Sequence, residues 1–147
     1  MLEQDYIMRL VREFFEALEL FIRQKRPIEV KIENLRALYD QYVGPAAFYQ
    51  TAEMADVMDS FGRFEESQRI HRMEMLAEIY YVDADLHTGP QRDDLLNRAL
   101  TLFRYIDSHS DTFSFDRLDK INRLEKSLKT NAQENACKLC QNNYGNP

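Results

Sequence analysis

The most constraining stretch of the chain lies between residues 64 and 106. Ile70, Met73, Leu76, Ala77, Tyr80, Tyr81 and Ala84 recur at the three-and-four spacing of one helix face. His87-Thr88-Gly89-Pro90 interrupts the pattern, and Leu95, Leu96, Ala99, Leu102, Phe103 and Ile106 resume it. Two amphipathic helices joined by so short a break pack antiparallel, because neither can bury its apolar face alone. A helical hairpin is therefore predicted, and the rest of the chain has to offer faces that cover it.

The remaining sequence supplies such faces. Ile7, Leu10, Val11, Phe14, Leu18, Phe21 and Ile22 predict a first helix over about 4–25, with Asp5 in its first turn and Arg23, Lys25 and Arg26 at its end, as the helix dipole favours. Pro27 bars its continuation. A second helix over about 28–43 carries Ile28, Ile32, Leu35, Leu38, Tyr39 and Tyr42. Gly44-Pro45 breaks it, and a third over about 46–61 carries Phe48, Ala52, Ala55 and Met58 until Gly62. The hairpin forms the fourth and fifth helices, over about 64–86 and 90–108. Ser114 is a candidate N-cap for a sixth, through Leu118, Ile121, Leu124 and Leu128.

No segment alternates strictly, and four Gly and four Pro leave little material for the tight turns of an all-β fold. The expected fold class is all-α: about six helices packed as antiparallel helical hairpins, in a tetratricopeptide-like array or an irregular bundle. Residues 1–130 form one helical domain. Residues 131–147, rich in Asn and Gln, read as a polar, flexible C-terminal tail.

Leu38-x-x-x-Tyr42 recurs as Leu76-x-x-x-Tyr80, 38 positions later, each followed by a break and a helix with small residues at its crossing face. The run Met73-Glu74-Met75-Leu76-Ala77-Glu78-Ile79-Tyr80, continued by Ala99, Leu102 and Phe103, resembles a degenerate tetratricopeptide repeat. Met73 takes the position of the family's large first residue, and Leu76, Ala77, Tyr80 and Ala99 take the others. Ala77 stands where that family has Gly, the connection is about three residues too long, and no Pro closes the unit near Ile106. The opening Glu3-Gln4-Asp5-Tyr6-Ile7-Met8-Arg9 is similar to that of a family of uncharacterised bacterial helical proteins. That resemblance implies a bacterial protein and carries over no catalytic residue.

The net charge is −6, and residues 50–94 hold eleven acids against four bases, a local −7 that leaves +1 elsewhere. Self-repulsion there disfavours nucleic acid. With no secretory signal pattern and no long apolar run, the expected location is cytoplasmic, with no membrane partner.

Candidate chemistry is sparse. Cys137-Lys138-Leu139-Cys140 offers two of the four ligands of a structural zinc site, so inert thiols, metal binding with His71, His87 or His109, and redox chemistry all remain open. His71, Glu74 and Glu78 share one helix face and read as an exposed polar surface. Ser108, His109 and Asp111 supply triad residue types in a linker, without triad spacing. Arg117, Lys120, Arg123, Lys126 and Lys129 wind around the sixth helix among Asp116, Asp119 and Glu125, which reads as a salt-bridged face. No cofactor is implied.

The function this sequence supports is a non-enzymatic helical scaffold, tetratricopeptide-like, that binds a protein or peptide. Tyr39, Tyr42, Tyr49, Tyr80 and Tyr81 are the candidate contact residues, since tyrosine offers both area and a hydroxyl. The alternative is a metal-binding or redox protein built on Cys137 and Cys140. The first helix has a broad, charge-balanced apolar face, which points to a homodimer through that helix.

Overall fold

A computed structural model describes the backbone of residues 2–144 and the side chains of residues 4–133. The described chain is helical, with no strand: α1 (Leu2–Arg23), α2 (Ile28–Tyr42), α3 (Ala46–Thr51), α4 (Met54–Ser60), a 3-10 turn (Phe61–Arg63), α5 (Glu66–Ala84), α6 (Gly89–His109) and α7 (Phe115–Tyr144). The all-α fold class expected from periodicity is the one observed.

The hub is α5. It packs against α6 most extensively, and also against α1, α2 and the 3-10 turn, while α7 lies on α6. Its environment explains its composition. Met73, Met75, Leu76, Ala77, Ile79, Tyr80, Val82 and Ala84 are buried on nearly every side of the helix, as befits a helix surrounded by others rather than one with a single wet face. Phe14 and Leu18 of α1, Leu35 and Tyr39 of α2, and Leu102 and Ile106 of α6 close the core around it.

Two boundaries differ from expectation. The third helix is not continuous: Ala52 and Glu53 are extended, with ψ of 154° and 149°, and they separate α3 from α4. The cause lies in two distant side chains. In an unbroken helix the Tyr49 carbonyl would accept from the Glu53 amide; here it accepts the Tyr80 hydroxyl at 2.5 Å and an Arg98 guanidinium N–H at 3.2 Å. The same device closes α2, where Arg72 Nη1 donates to the Tyr42 carbonyl at 2.5 Å and Arg63 donates to the Val43 carbonyl. Cations thus satisfy carbonyls at helix C-termini, where the dipole is negative.

The second difference is at the other end. The backbone of α7 does not stop near Leu128 but stays helical to Tyr144, because no Gly or Pro occurs between Phe115 and Tyr144 and Ala132, Gln133, Ala136 and Leu139 favour helix. Its start follows the predicted cap, with the Arg117 amide donating to Ser114 Oγ at 3.2 Å.

Candidate functional site

Four of the five candidate tyrosines are core residues. Tyr39, Tyr42, Tyr49 and Tyr80 are buried, so they offer no area to a partner, and that expectation is corrected. Their hydroxyls explain why a core can hold them. Tyr39 donates to Asp83 Oδ2 at 2.6 Å, Tyr80 donates to the Tyr49 carbonyl, and the Tyr49 hydroxyl shares a 2.9 Å hydrogen bond with Ser60 Oγ. Burial, then the Asp83 charge, holds the Tyr39 phenol well above its ordinary range, and burial pushes Tyr80 up to about 12 despite Arg98. Both phenols are thereby kept protonated, as donors, at neutral pH. Tyr81 alone is partly exposed.

Asp83 is the polar centre of this core. Its carboxylate is almost wholly buried and accepts from Tyr39, from Gln50 Nε2 at 3.1 Å and, at 3.0 Å, pairs with His87 Nε2. It therefore ties α2, α3 and the α5–α6 turn to α5. A carboxylate beside a histidine can orient a general base, but no Ser, Thr or Cys hydroxyl or thiol contacts His87 among the described side chains. In this structure Asp83 cross-links the elements around α5.

The His71, Glu74 and Glu78 face is not a free surface either. Glu78 is buried and His71 and Glu74 are half-buried, and Lys120 Nζ of α7 lies 2.5 Å from Glu78 Oε1 and 3.0 Å from Asp116 Oδ2. Desolvation pulls the Lys120 ammonium down, but Glu78 and Asp116 outweigh it and hold it above its usual value. Burial raises both Glu74 and Glu78, against the pull of His71 and Arg117 on the first and of Lys120 on the second. His71 Nδ1 stands 4.0 Å from Glu74 Oε2, beyond hydrogen-bonding distance. Arg117, expected at a solvated face, is buried and binds Asp107 Oδ1 at 3.1 Å and the Thr112 carbonyl at 2.8 Å.

Ser108 and His109 occupy the last turn of α6, where His109 stacks on Tyr105 at 3.9 Å between ring centroids. Cys137 and Cys140 lie on the helical backbone of α7, but their side chains fall outside the described residues. Among the described residues no group of three or more His, Cys, Asp or Glu side chains is arranged to hold a metal ion, and no helix is long and apolar enough to cross a membrane.

What remains at the surface is concentrated on α1. At about 100° per residue, its apolar side chains from Tyr6 round to Met8 span roughly 200° of the helix, about twice what packing on one neighbour requires. Two heptad seams run side by side within that arc. Ile7, Leu10, Phe14, Ala17 and Phe21 face the core, buried or half-buried. Met8, Val11, Phe15, Leu18 and Ile22 form the second seam, one residue round the helix. Its Leu18 is buried, whereas Met8, Phe15 and Ile22 are 45%, 41% and 61% exposed. Ile22 also borders a cleft of about 270 Å³ lined by Phe21, Lys31, Tyr81, Leu86 and Lys120, which is where Tyr81 meets solvent. No family model, curated protein or solved structure matches the chain.

Proposed function

We propose that this chain is a non-enzymatic helical interaction domain that engages a protein partner through the outer seam of α1. The observation that carries this reading is the evenly spaced row Met8, Phe15 and Ile22, each large, apolar and substantially exposed. Single exposed apolar residues are ordinary on protein surfaces. A row at seven-residue spacing is different, because it makes a continuous stripe that a second helix can cover with interlocking side chains. The tetratricopeptide-like reading is supported by the α5–α6 hairpin, where Leu76, Ala77, Tyr80 and Ala99 are all buried. It describes the platform that holds α1 in place, while binding belongs to α1.

The test is a photo-crosslinking amino acid introduced at Phe15 and, separately, at Glu16 on the polar side of α1, with irradiation in cells expressing the protein. The reading expects adducts of discrete mass from position 15 that are absent from position 16. Equal labelling at both positions, or none at 15, overturns it.

A further inference from the structure

The cleft of about 270 Å³ beside Ile22 lies where the last turn of α1, the first turn of α2 and the end of α5 meet Lys120 of α7. Phe21, Val82 and Leu86 give it apolar walls. Most of the charged groups at its edge are already matched. Lys120 Nζ is shared between Glu78 Oε1 at 2.5 Å and Asp116 Oδ2 at 3.0 Å, and Asp85 Oδ1 meets Arg92 Nη1 at 3.4 Å. Two polar groups lining the cleft are left over, the Lys31 ammonium and the Tyr81 hydroxyl. Both residues are half-buried, yet among the described residues neither group has a hydrogen-bond partner and Lys31 has no ion pair.

We infer that this cleft binds a small monocarboxylate with an apolar body, its carboxylate held by Lys31 and Tyr81. Apolar walls with a few unengaged polar groups at one place are the usual make-up of a small-molecule site. An ammonium can only donate and a phenol hydroxyl can donate, so a carboxylate offers one oxygen to each. The count of charges limits the ligand to one negative group. Lys120 is engaged by two carboxylates and Asp85 has its own cation, which leaves Lys31 as the single unmatched charge at the cleft. A second anionic group would be pressed against the apolar wall without a counter-ion. Size limits it further: about 270 Å³ falls below the range of about 300 to 1,000 Å³ that holds drug-sized ligands, so the body is a short hydrocarbon chain or a single ring. The larger cleft of about 900 Å³ at the start of α6 has no such remainder. There Asp93 accepts from Asn131 at 2.8 Å, Asp94 pairs with Arg98 at 2.8 Å, and Arg92 is the partner of Asp85. Of the exposed row on α1 only Ile22 borders the smaller cleft, so this site does not depend on a protein partner there.

The experiment is a titration of the full chain with hexanoate, followed by two-dimensional amide NMR spectra, with hexanamide, acetate and adipate as comparisons. Hexanoate is expected to give saturable shifts centred on the amides of Phe21, Lys31 and Tyr81. Hexanamide keeps the body and loses the charge, acetate keeps the charge and loses the body, and adipate adds a second charge. Each is expected to bind about tenfold or more weakly than hexanoate. Lys31→Met is expected to weaken hexanoate by about tenfold or more, Tyr81→Phe by about fivefold, and Lys31→Arg, which keeps the charge, by no more than about threefold. Lys126→Met, at an exposed lysine outside the cleft, is expected to leave binding unchanged. Neither Lys31 nor Tyr81 has a side-chain partner to lose, so circular dichroism should show folding kept; the four ligands on the unaltered chain decide the matter independently of any variant. The inference is overturned by the absence of a saturable shift with hexanoate, or by shifts centred away from the cleft. Hexanamide or adipate binding as tightly as hexanoate overturns it too, as does Lys31→Met binding as tightly as the unaltered chain.

Discussion

The Tyr49 carbonyl gives the sharpest test of how this fold is held. It sits in the core and receives two donors, the Tyr80 hydroxyl at 2.5 Å and Arg98 Nη1 at 3.2 Å. Tyr80→Phe removes a neutral donor and is expected to cost about 1 kcal/mol. Arg98→Met removes a charged donor, together with its 2.8 Å pair to the half-exposed Asp94, and is expected to cost about 2 kcal/mol, little of it from the surface ion pair. In either single variant the other donor still satisfies the carbonyl. In the double variant it is buried with neither, and that orphaned acceptor adds about 1 to 2 kcal/mol beyond the sum. The double cost of about 4 to 5 kcal/mol would take much of the stability of a domain this size. Urea unfolding of the four proteins, followed by far-ultraviolet circular dichroism, measures the coupling directly. An additive or sub-additive result refutes the reasoning. Amide exchange at Glu53 then supplies the reason if its N–H has become protected, because the freed carbonyl would have recaptured it and joined α3 to α4.

Two further perturbations test the polar interior. Asp83→Leu leaves the Tyr39 hydroxyl and Gln50 amide without their acceptor and is expected to cost about 3 kcal/mol, against about 1.5 kcal/mol for Tyr39→Phe, with thermal and urea unfolding as the readouts; equal costs would mean that Asp83 is not the common acceptor. Glu74 is an acid whose folded-state pKa is raised by burial, so its contribution is fully present below the unfolded carboxyl value near about 4.3 and is lost as pH rises through the folded value. Glu74→Gln is therefore expected to stabilise the protein at pH 7 and to lose that advantage below pH 4; a benefit independent of pH in a melting series would contradict this.

The hairpin over 64–106 was legible because its signal is local: apolar residues three and four apart, then Gly89-Pro90. The fate of the tyrosines was not. A tyrosine suits a wet groove or a core equally until its hydroxyl partner is known, and Tyr39 finds Asp83 44 residues away while Tyr80 finds the Tyr49 carbonyl 31 residues back. The break at Ala52 and Glu53 has the same origin, since nothing in residues 46–61 announces donors on α5 and α6. Periodicity also misjudged the His71, Glu74 and Glu78 face, because it assigns polar stripes to water and cannot see Lys120 arriving from 42 residues downstream. The outer seam of α1 was open to discovery from sequence alone. Counting a single apolar face merged two heptad rows into one broad stripe, and separating them isolates Met8, Val11, Phe15, Leu18 and Ile22.

Two of the apolar features at the surface are not equivalent. Phe113 and Phe115, beside the start of α7, are strongly exposed, but they pack edge to face on each other with centroids 4.8 Å apart. Each ring thereby shields part of the other, and Arg117 anchors the adjoining connection to Asp107 and Thr112. The pair has no repeat along a helix. On α1, Met8, Phe15 and Ile22 repeat every seven residues, on a helix held to the core by Phe14 and Leu18. A partner that covered the phenylalanine pair would gain area without orientation. One that covered the row on α1 would gain area along a fixed direction, which is what separates a binding surface from an exposed patch.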